Sequence, residues 1–336
     1  MIRFLILFAI LTFYSTIHGQ PEGYYDGTEG LTGQELREAL HEIIDDHIPF
    51  SYDDLRDFIL KETDEDPDDP DHIILIYSGI SRDKEDFGGG SGEWNREHTW
   101  AKSHGGFDNE PPEGTDAHHV RPADVQVNGT RANLDFDNGG EPVPGCPGCR
   151  VDGDSFEPRD EVKGDVARMI FYMATRYMGG EGELYLDVVD EVNTSPEPKH
   201  GKLSVLMEWH SEDPPDDFEK NRNEVVYGYQ GNRNPFIDHP EFVAAIWGDP
   251  TKIKESSADR FIIYPNPFSS VFHIRNIHHQ TADYYLYHSN GTLTGKGSIT
   301  DQEMIIDLEE LSAGLYLLMI INPSGHQPEY HRIVKN

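Results

Sequence analysis

The spacing of apolar residues changes once along this 336-residue chain, at Gly248-Asp249-Pro250, and that change limits what each part can fold into. Before it, apolar positions recur every three or four residues, the period of a helix with one buried face. Leu36, Ala39, Leu40, Ile43 and Ile44 do so within Thr32 to His47, where Thr32 and Glu35 are spaced as a capping box. A second helix starts near Ser51 with Leu55, Phe58 and Ile59 on one face. Val166, Met169, Ile170, Met173 and Tyr177 mark a core helix over Asp165 to Met178. Three more helices follow over Leu203 to Trp209, Asp217 to Tyr229 and His239 to Trp247. An acidic, proline-broken loop from Asp64 to Asp71 and a short buried strand, Ile73 to Tyr77, interrupt the series. After the change, short runs rich in aromatic and β-branched residues are predicted as strands: Phe261–Tyr264, Phe272–Ile274, Tyr284–Tyr287, Met304–Leu308 and Leu315–Ile320, with a turn signal at Ser289-Asn290-Gly291. The expected fold is α+β: a mainly helical domain over 20–250, a polar linker over 251–260, and a small antiparallel β-sandwich over 261–336.

The two ends and the charge set the environment. Residues 1–19 read as a secretory signal peptide, with Arg3 before an apolar run from Phe4 to Leu11 and a small residue, Gly19, ahead of Gln20. No later segment is apolar enough to span a bilayer, so the exported chain is expected to be soluble. Cys146 and Cys149 cannot supply a four-ligand zinc site and are expected to form a local disulfide in an oxidising compartment. Lys plus Arg is 27 against 62 for Asp plus Glu, a net of 27 − 62 = −35. That balance excludes attachment to nucleic acid by bulk charge. An anionic substrate must be held locally, with Arg and Lys gathered in one cleft.

Two segments concentrate the chemistry. Trp94-Asn95-Arg96-Glu97-His98-Thr99-Trp100-Ala101-Lys102-Ser103 places a carboxylate beside an imidazole, after a Gly88-Gly89-Gly90-Ser91-Gly92 loop. Asp116-Ala117-His118-His119-Val120-Arg121-Pro122-Ala123-Asp124 adds two imidazoles. Together they offer a general base and ligands for one divalent metal, the parts needed to hydrolyse a phosphodiester. Neighbouring side chains on a regular strand diverge, so Glu97 and His98 can serve one spot only where the strand ends or bulges. The same holds for His118 and His119, between which chemistry alone does not choose. Asn128, Arg131 and Asn133, in Val127-Asn128-Gly129-Thr130-Arg131-Ala132-Asn133, read equally as a polar helix end or as an amide ligand with phosphate donors.

These three segments resemble the central motifs of the bacterial endonuclease I family, which belongs to the His-Me finger (ββα-metal) nucleases. The likeness continues through Gly164 to Tyr177, Glu219-Lys220-Asn221-Arg222-Asn223 and Gly231-Asn232-Arg233-Asn234-Pro235-Phe236-Ile237-Asp238, covering roughly residues 31–249. The resemblance implies a strand-turn-strand-helix finger within the helical domain, with one Mg²⁺, or Mn²⁺ or Ca²⁺ in its place. It implies cutting of DNA, and often RNA, with little sequence preference, leaving a 5′-phosphate and a 3′-hydroxyl. Carried over by position, His98 is the general base, and Glu97 and Asn128 are the metal ligands. His118 and His119 become supporting or structural residues, with His119 a reserve ligand, and Arg131, Arg222 and Arg233 become candidates for phosphate contact. Ala101 stands where the family commonly has Pro.

A second resemblance lies beyond the linker. Tyr264-Pro265-Asn266-Pro267-Phe268, Gly314-Leu315-Tyr316-Leu317-Leu318 and Arg332-Ile333-Val334-Lys335-Asn336 are similar to the C-terminal sorting domain of type IX secretion. It implies passage through that machinery to the cell surface or beyond, with the sorting domain removed. A carbohydrate-binding or adhesive β-domain is the alternative for this part. For the whole chain the expectation is a secreted, monomeric, metal-dependent endonuclease. Its rival is a non-catalytic surface protein that binds nucleic acid or glycan on a degenerate nuclease scaffold.

Overall fold

The structure is a computed structural model, and it describes residues 19–180, 182–248, 261–276, 281–288, 292–301, 303–308, 311–321 and 329–336. The expected signal peptide (except Gly19), the linker at 251–260 and the turn at Ser289-Asn290-Gly291 lie outside the described residues. The chain divides into two compact units after Trp247.

In the first unit α1 (Gly33–Ile44) buries Leu36, Leu40 and Ile44, as its period requires. The expected capping box does not form, because the Thr32 side chain makes no capping bond. A capping box forms instead at Ser51, whose Oγ accepts from Asp54 N at 3.2 Å while Asp54 Oδ2 accepts from Ser51 N at 2.9 Å. It opens a helical stretch in three pieces, Tyr52–Asp54, a π-wound Leu55–Ile59 and Leu60–Thr63. Leu55 and Ile59 are fully buried, but Phe58 is 40% exposed, turned outward to pack on Phe50 and Tyr229.

The acidic segment after it is ordered rather than loose. Glu65–Asp66 pairs antiparallel with β1 (Asp69–Ile74). Asp64 is fully buried, where Arg121 and Arg222 both reach it. The paired cations offset the desolvation that would otherwise exclude a carboxylate from the core. Next come β2 (Trp94–His98), β3 (Val120–Asp124) and α2 (Val125–Arg131). β2 and β3 pair antiparallel with Glu97 opposite Arg121 and His98 opposite Val120, so the three elements make a strand-turn-strand-helix finger.

Behind the finger runs α3 (Lys163–Arg176). Its period predicted one buried face, yet every residue from Gly164 to Arg176 is buried, so the helix passes through the centre of the unit. Its two long cations are paired inside: Arg168 forks onto Glu219, and Arg176 pairs with Asp45 and Glu183. Gly164 is obligatory there, since a Cβ would lie 1.9 Å from Asp213 O. Around α3 pack α4 (Leu203–Glu212), α1 and α6 (Glu241–Trp247), while α5 (Asp217–Gln230) closes the side nearer the Tyr52–Thr63 stretch.

The second unit is a sandwich of two antiparallel sheets. Its strands are β4 (Phe261–Tyr264), β5 (Val271–Asn276), β6 (Ala282–His288), β7 (Leu293–Ile299), β8 (Glu303–Asp307), β9 (Gly314–Ile321) and β10 (Glu329–Lys335). One sheet has the order β4-β5-β8 and the other β7-β6-β9-β10. Phe272, Ile274, Leu286, Tyr316, Leu318 and Ile333 fill the space between them. Sequence reading passed over β7, whose Leu-Thr-Gly-Lys-Gly-Ser-Ile lacks an apolar alternation. The Tyr284 ring covers Gly297 across the pair, occupying the space that a side chain there would need.

Candidate active site

The finger meets its surroundings at a cavity of about 340 Å³, and Glu97, His98, Asn128 and Arg131 all line it. Glu97 and His98 share it because β2 ends at His98, after which Thr99 N bonds to His119 O at 3.0 Å. The third element is placed by Asp124, whose Oδ1 caps α2 by accepting from Gln126 N and Val127 N at 2.9 and 3.3 Å. α2 then sets Asn128 against β2, where Nδ2 donates to Asn95 Oδ1 at 2.9 Å and to Arg96 O at 3.4 Å. With the amide nitrogen so engaged, Oδ1 is the atom of Asn128 left to accept a ligand.

His98 is oriented by a backbone carbonyl. Its Nε2 lies 3.0 Å from Gly114 O, and since a carbonyl only accepts, Nε2 carries the hydrogen and Nδ1 keeps the lone pair. Burial, then the nearby imidazole of His119 and the charges of Lys102 and Arg96, hold the ring well below the usual histidine range. It is therefore a neutral imidazole near neutrality, the form that can take a proton. Tyr52 stacks on the ring at 5.6 Å, and the Arg96 guanidinium sits 3.4 Å from the centre of the Tyr52 ring. Gly114 is required, because a Cβ would fall 2.1 Å from Asp108 O.

Glu97 is 2% exposed, and burial pushes its carboxyl above the usual range against the opposing pull of Arg131 and Tyr77. Oε1 accepts from Tyr77 Oη at 2.6 Å and lies 3.3 Å from Arg131 Nη1, while Oε2 takes no hydrogen bond from the described residues. A desolvated carboxylate with one oxygen uncommitted, beside an amide oxygen, suits a hard divalent cation.

The other expected residues are distributed unequally. His118 Nε2 donates to Asn232 O at 3.1 Å with its ring on Tyr172, and His119 Nε2 donates to Glu113 O at 2.8 Å. Both are buried, held down to about 4 first by desolvation, and line no part of the cavity. Between them and the core Asp116 accepts from Tyr172, Tyr177 and Gln230. Arg131 reaches the cavity wall, where its two terminal nitrogens bond to His98 O, Thr99 O and His200 Nε2 at 3.1, 2.6 and 3.2 Å, while its buried Nε has no hydrogen-bond partner among the described residues. These bonds tie the end of α2 to the end of β2. Arg222 is likewise occupied by Asp64, Ala117 O and Val120 O. Arg233 is 2% exposed, bound to Asp238 and Glu224, and lines a different cavity of about 950 Å³. Neither Arg222 nor Arg233 lines the cavity that Glu97, His98 and Asn128 share.

His104, Asp135 and His200 form, among the described residues, the one compact trio of His and Asp groups. The two rings lie face to face at 4.6 Å and 17°, so their in-plane lone pairs do not converge on one point. Every ring nitrogen is also engaged: His104 with Lys199 O and Asn133 O at 2.6 and 2.8 Å, His200 with Gly201 O and Arg131 at 3.1 and 3.2 Å. The trio is a buried polar network beneath Arg131 rather than a metal centre.

Sequence reading missed Tyr52, Tyr77 and Gly114, none of which stands in a motif with the residue it touches. The cavity has Arg96, Lys102 and Arg131 against Glu97, whereas a third cavity, of about 410 Å³, has Asp26, Glu29 and Glu241 with no Lys or Arg.

A finger of this geometry within this chain has relatives. The chain belongs to the endonuclease I family, whose model matches residues 32–241, and it is a nuclease. It is 54% identical over 231 residues to an extracellular ribonuclease of Bacillus subtilis (strain 168), covering 68% of this chain and 80% of that protein. An extracellular ribonuclease of Bacillus amyloliquefaciens is 56% identical over 233 residues, covering 69% of this chain and 80% of the relative. The secretion system C-terminal sorting domain matches residues 262–336, and the protein is secreted or held at the cell surface. No helix among the described residues is long and apolar enough to cross a membrane.

Proposed function

We propose that the protein is a metal-dependent endonuclease of low sequence preference, acting on DNA and on RNA, with His98 as general base and Glu97 and Asn128 as the ligands of one Mg²⁺. Type IX secretion would carry it out of the cell. The observation that carries this reading is the His98 tautomer: Gly114 O fixes the hydrogen on Nε2 and leaves Nδ1 as a base in the cavity that Glu97 and Asn128 share. The RNA half is supported by the two relatives named ribonucleases.

His98 Nδ1 takes a proton from a water molecule as the oxygen attacks phosphorus, and the bond from phosphorus to the 3′-oxygen breaks; the departing 3′-oxyanion takes a proton from solvent, giving a 5′-phosphate and a 3′-hydroxyl. A bound Mg²⁺ supplies positive charge for the phosphoryl and leaving oxygens. Tyr77 and Arg131 hold the Glu97 carboxylate, Asn95 and the Arg96 carbonyl hold the Asn128 amide, and Tyr52 keeps the His98 ring in place.

A plasmid-nicking assay with matched RNA substrate, with and without chelator, tests the reading. His98→Ala should lower the rate by at least ~10²-fold with binding of metal intact. Glu97→Ala and Asn128→Ala should lose activity that excess metal partly restores. An unchanged rate in His98→Ala would remove the base, and indifference to chelator would remove the metal.

A further inference from the structure

The cavity has a second wall that the reaction leaves unused. Lys102 and Ser103 sit on the turn that follows β2, and both line the cavity with Glu97 and His98. The turn is closed by His104 N to Ala101 O at 2.9 Å and Gly106 N to Lys102 O at 3.0 Å. It is anchored by the buried His104 ring, which bonds to Lys199 O and Asn133 O. These bonds fix the backbone that carries both residues.

Their donors are only partly spent. Lys102 Nζ is held by the neutral Asn109 Oδ1 at 2.6 Å, and no carboxylate among the described residues forms an ion pair with it. The other two cations of the cavity do face carboxylates, Arg96 at 3.8 Å from Asp53 and Arg131 at 3.3 Å from Glu97. A neutral amide fixes the ammonium while leaving its charge and two of its hydrogens available. Ser103 Oγ accepts from Asn133 Nδ2 at 3.0 Å and from Ser195 Oγ at 3.3 Å. With its lone pairs occupied, the Ser103 hydroxyl hydrogen is the part left to donate.

We propose that Lys102 and Ser103 form a subsite for a phosphodiester group of the nucleic-acid strand next to the one being cleaved. The ammonium supplies charge and the hydroxyl supplies direction, so the subsite holds the strand in register while His98 acts on the neighbouring phosphate. In a chain of net charge −35 it is the local positive charge that a polyanion requires. The proposal rests on the nuclease reading of the same cavity.

The test is binding of a labelled single-stranded oligonucleotide of about twelve nucleotides to the His98→Ala protein in chelator, across a salt series. Adding Lys102→Gln should weaken binding five- to tenfold at about 0.1 M salt and lower the salt slope by about 0.7. Lys102→Arg should restore most of the affinity, and Ser103→Ala should cost about two- to threefold. Unchanged affinity and slope in Lys102→Gln, with cleavage by the unmutated protein intact, would overturn the subsite alone. If the unmutated protein does not cleave and the His98→Ala protein does not bind, the subsite and the nuclease reading fall together. Equal melting midpoints for the variants keep a folding defect from being read as lost binding.

Discussion

Gly114 O accepts a hydrogen bond from His98 Nε2 at 3.0 Å, across sixteen residues of sequence, and so decides which nitrogen of the imidazole keeps its lone pair. Gly114 stands in a short 3₁₀ turn, Glu113–Thr115, pressed against the carbonyl of Asp108.

Gly114→Ala would force a Cβ to 2.1 Å from that carbonyl, so the turn must move and the His98 ring lose its support. The expected result is a 10- to 100-fold fall in single-turnover rate, with a stability loss of about 1–3 kcal/mol. Rapid-quench cleavage and thermal melting measure the two separately. A full rate in a destabilised protein would show that the carbonyl does not set the tautomer.

Tyr77→Phe removes the hydroxyl that donates to Glu97 Oε1 at 2.6 Å and little else, because the ring is buried against Phe156. Loss of such a bond behind a ligand typically costs 10- to 100-fold in metal affinity or activity. Titrating activity with Mg²⁺ should shift the midpoint upward while the rate at saturation recovers. A fall in saturated rate with no shift would place Tyr77 outside ligand support.

Arg131→Lys separates a positioning role from phosphate contact. Lysine keeps the charge but cannot bridge Glu97, His98 O, Thr99 O and His200 together. Breaking a buried paired group of this kind costs about 3–5 kcal/mol. Denaturant unfolding should show most of that loss, whereas a phosphate-contacting arginine would lower activity with stability unchanged.

Stability should fall on mild acidification. His118, His119 and His210 are held down to about 4 by burial, against an unfolded value near 6.5. Between these values the unfolded chain binds protons that the folded one refuses, so stability is intact above about pH 6.5 and is lost as pH falls toward about 4. Thermal melting from about pH 7 to about pH 5 should show a decline of at least ~5 °C, with protons taken up on unfolding. A flat profile would mean that these rings are charged in the fold.

Much of the scaffold was legible because it is periodic. The spacing of Leu36, Leu40 and Ile44 located α1, and Val166, Ile170 and Met173 located α3. Alternation located five of the seven strands of the sandwich; β10 was not read as a strand, and β7 escaped because glycines replace the apolar residues that would have shown it. The hairpin of Glu65–Asp66 with Asp69–Ile74 escaped for a different reason, and of the strand expected over Ile73 to Tyr77 only Ile73 and Ile74 belong to it. Its acidic composition signals a solvated loop, and the cations that bury Asp64 come from Arg121 and Arg222, far along the chain.

By itself the sequence determined the helical and β halves, the family and the residue types brought to the finger, because periods and contiguous motifs are local properties. Tertiary structure alone decided that Nδ1 of His98 keeps its lone pair, that Arg131, Arg222 and Arg233 pair with internal carboxylates, and that Lys102 meets a neutral amide instead. Each of these depends on where a hydrogen-bond partner distant in sequence comes to rest. Arg222 finds Asp64 across 158 positions, a separation at which neither spacing nor composition carries a signal.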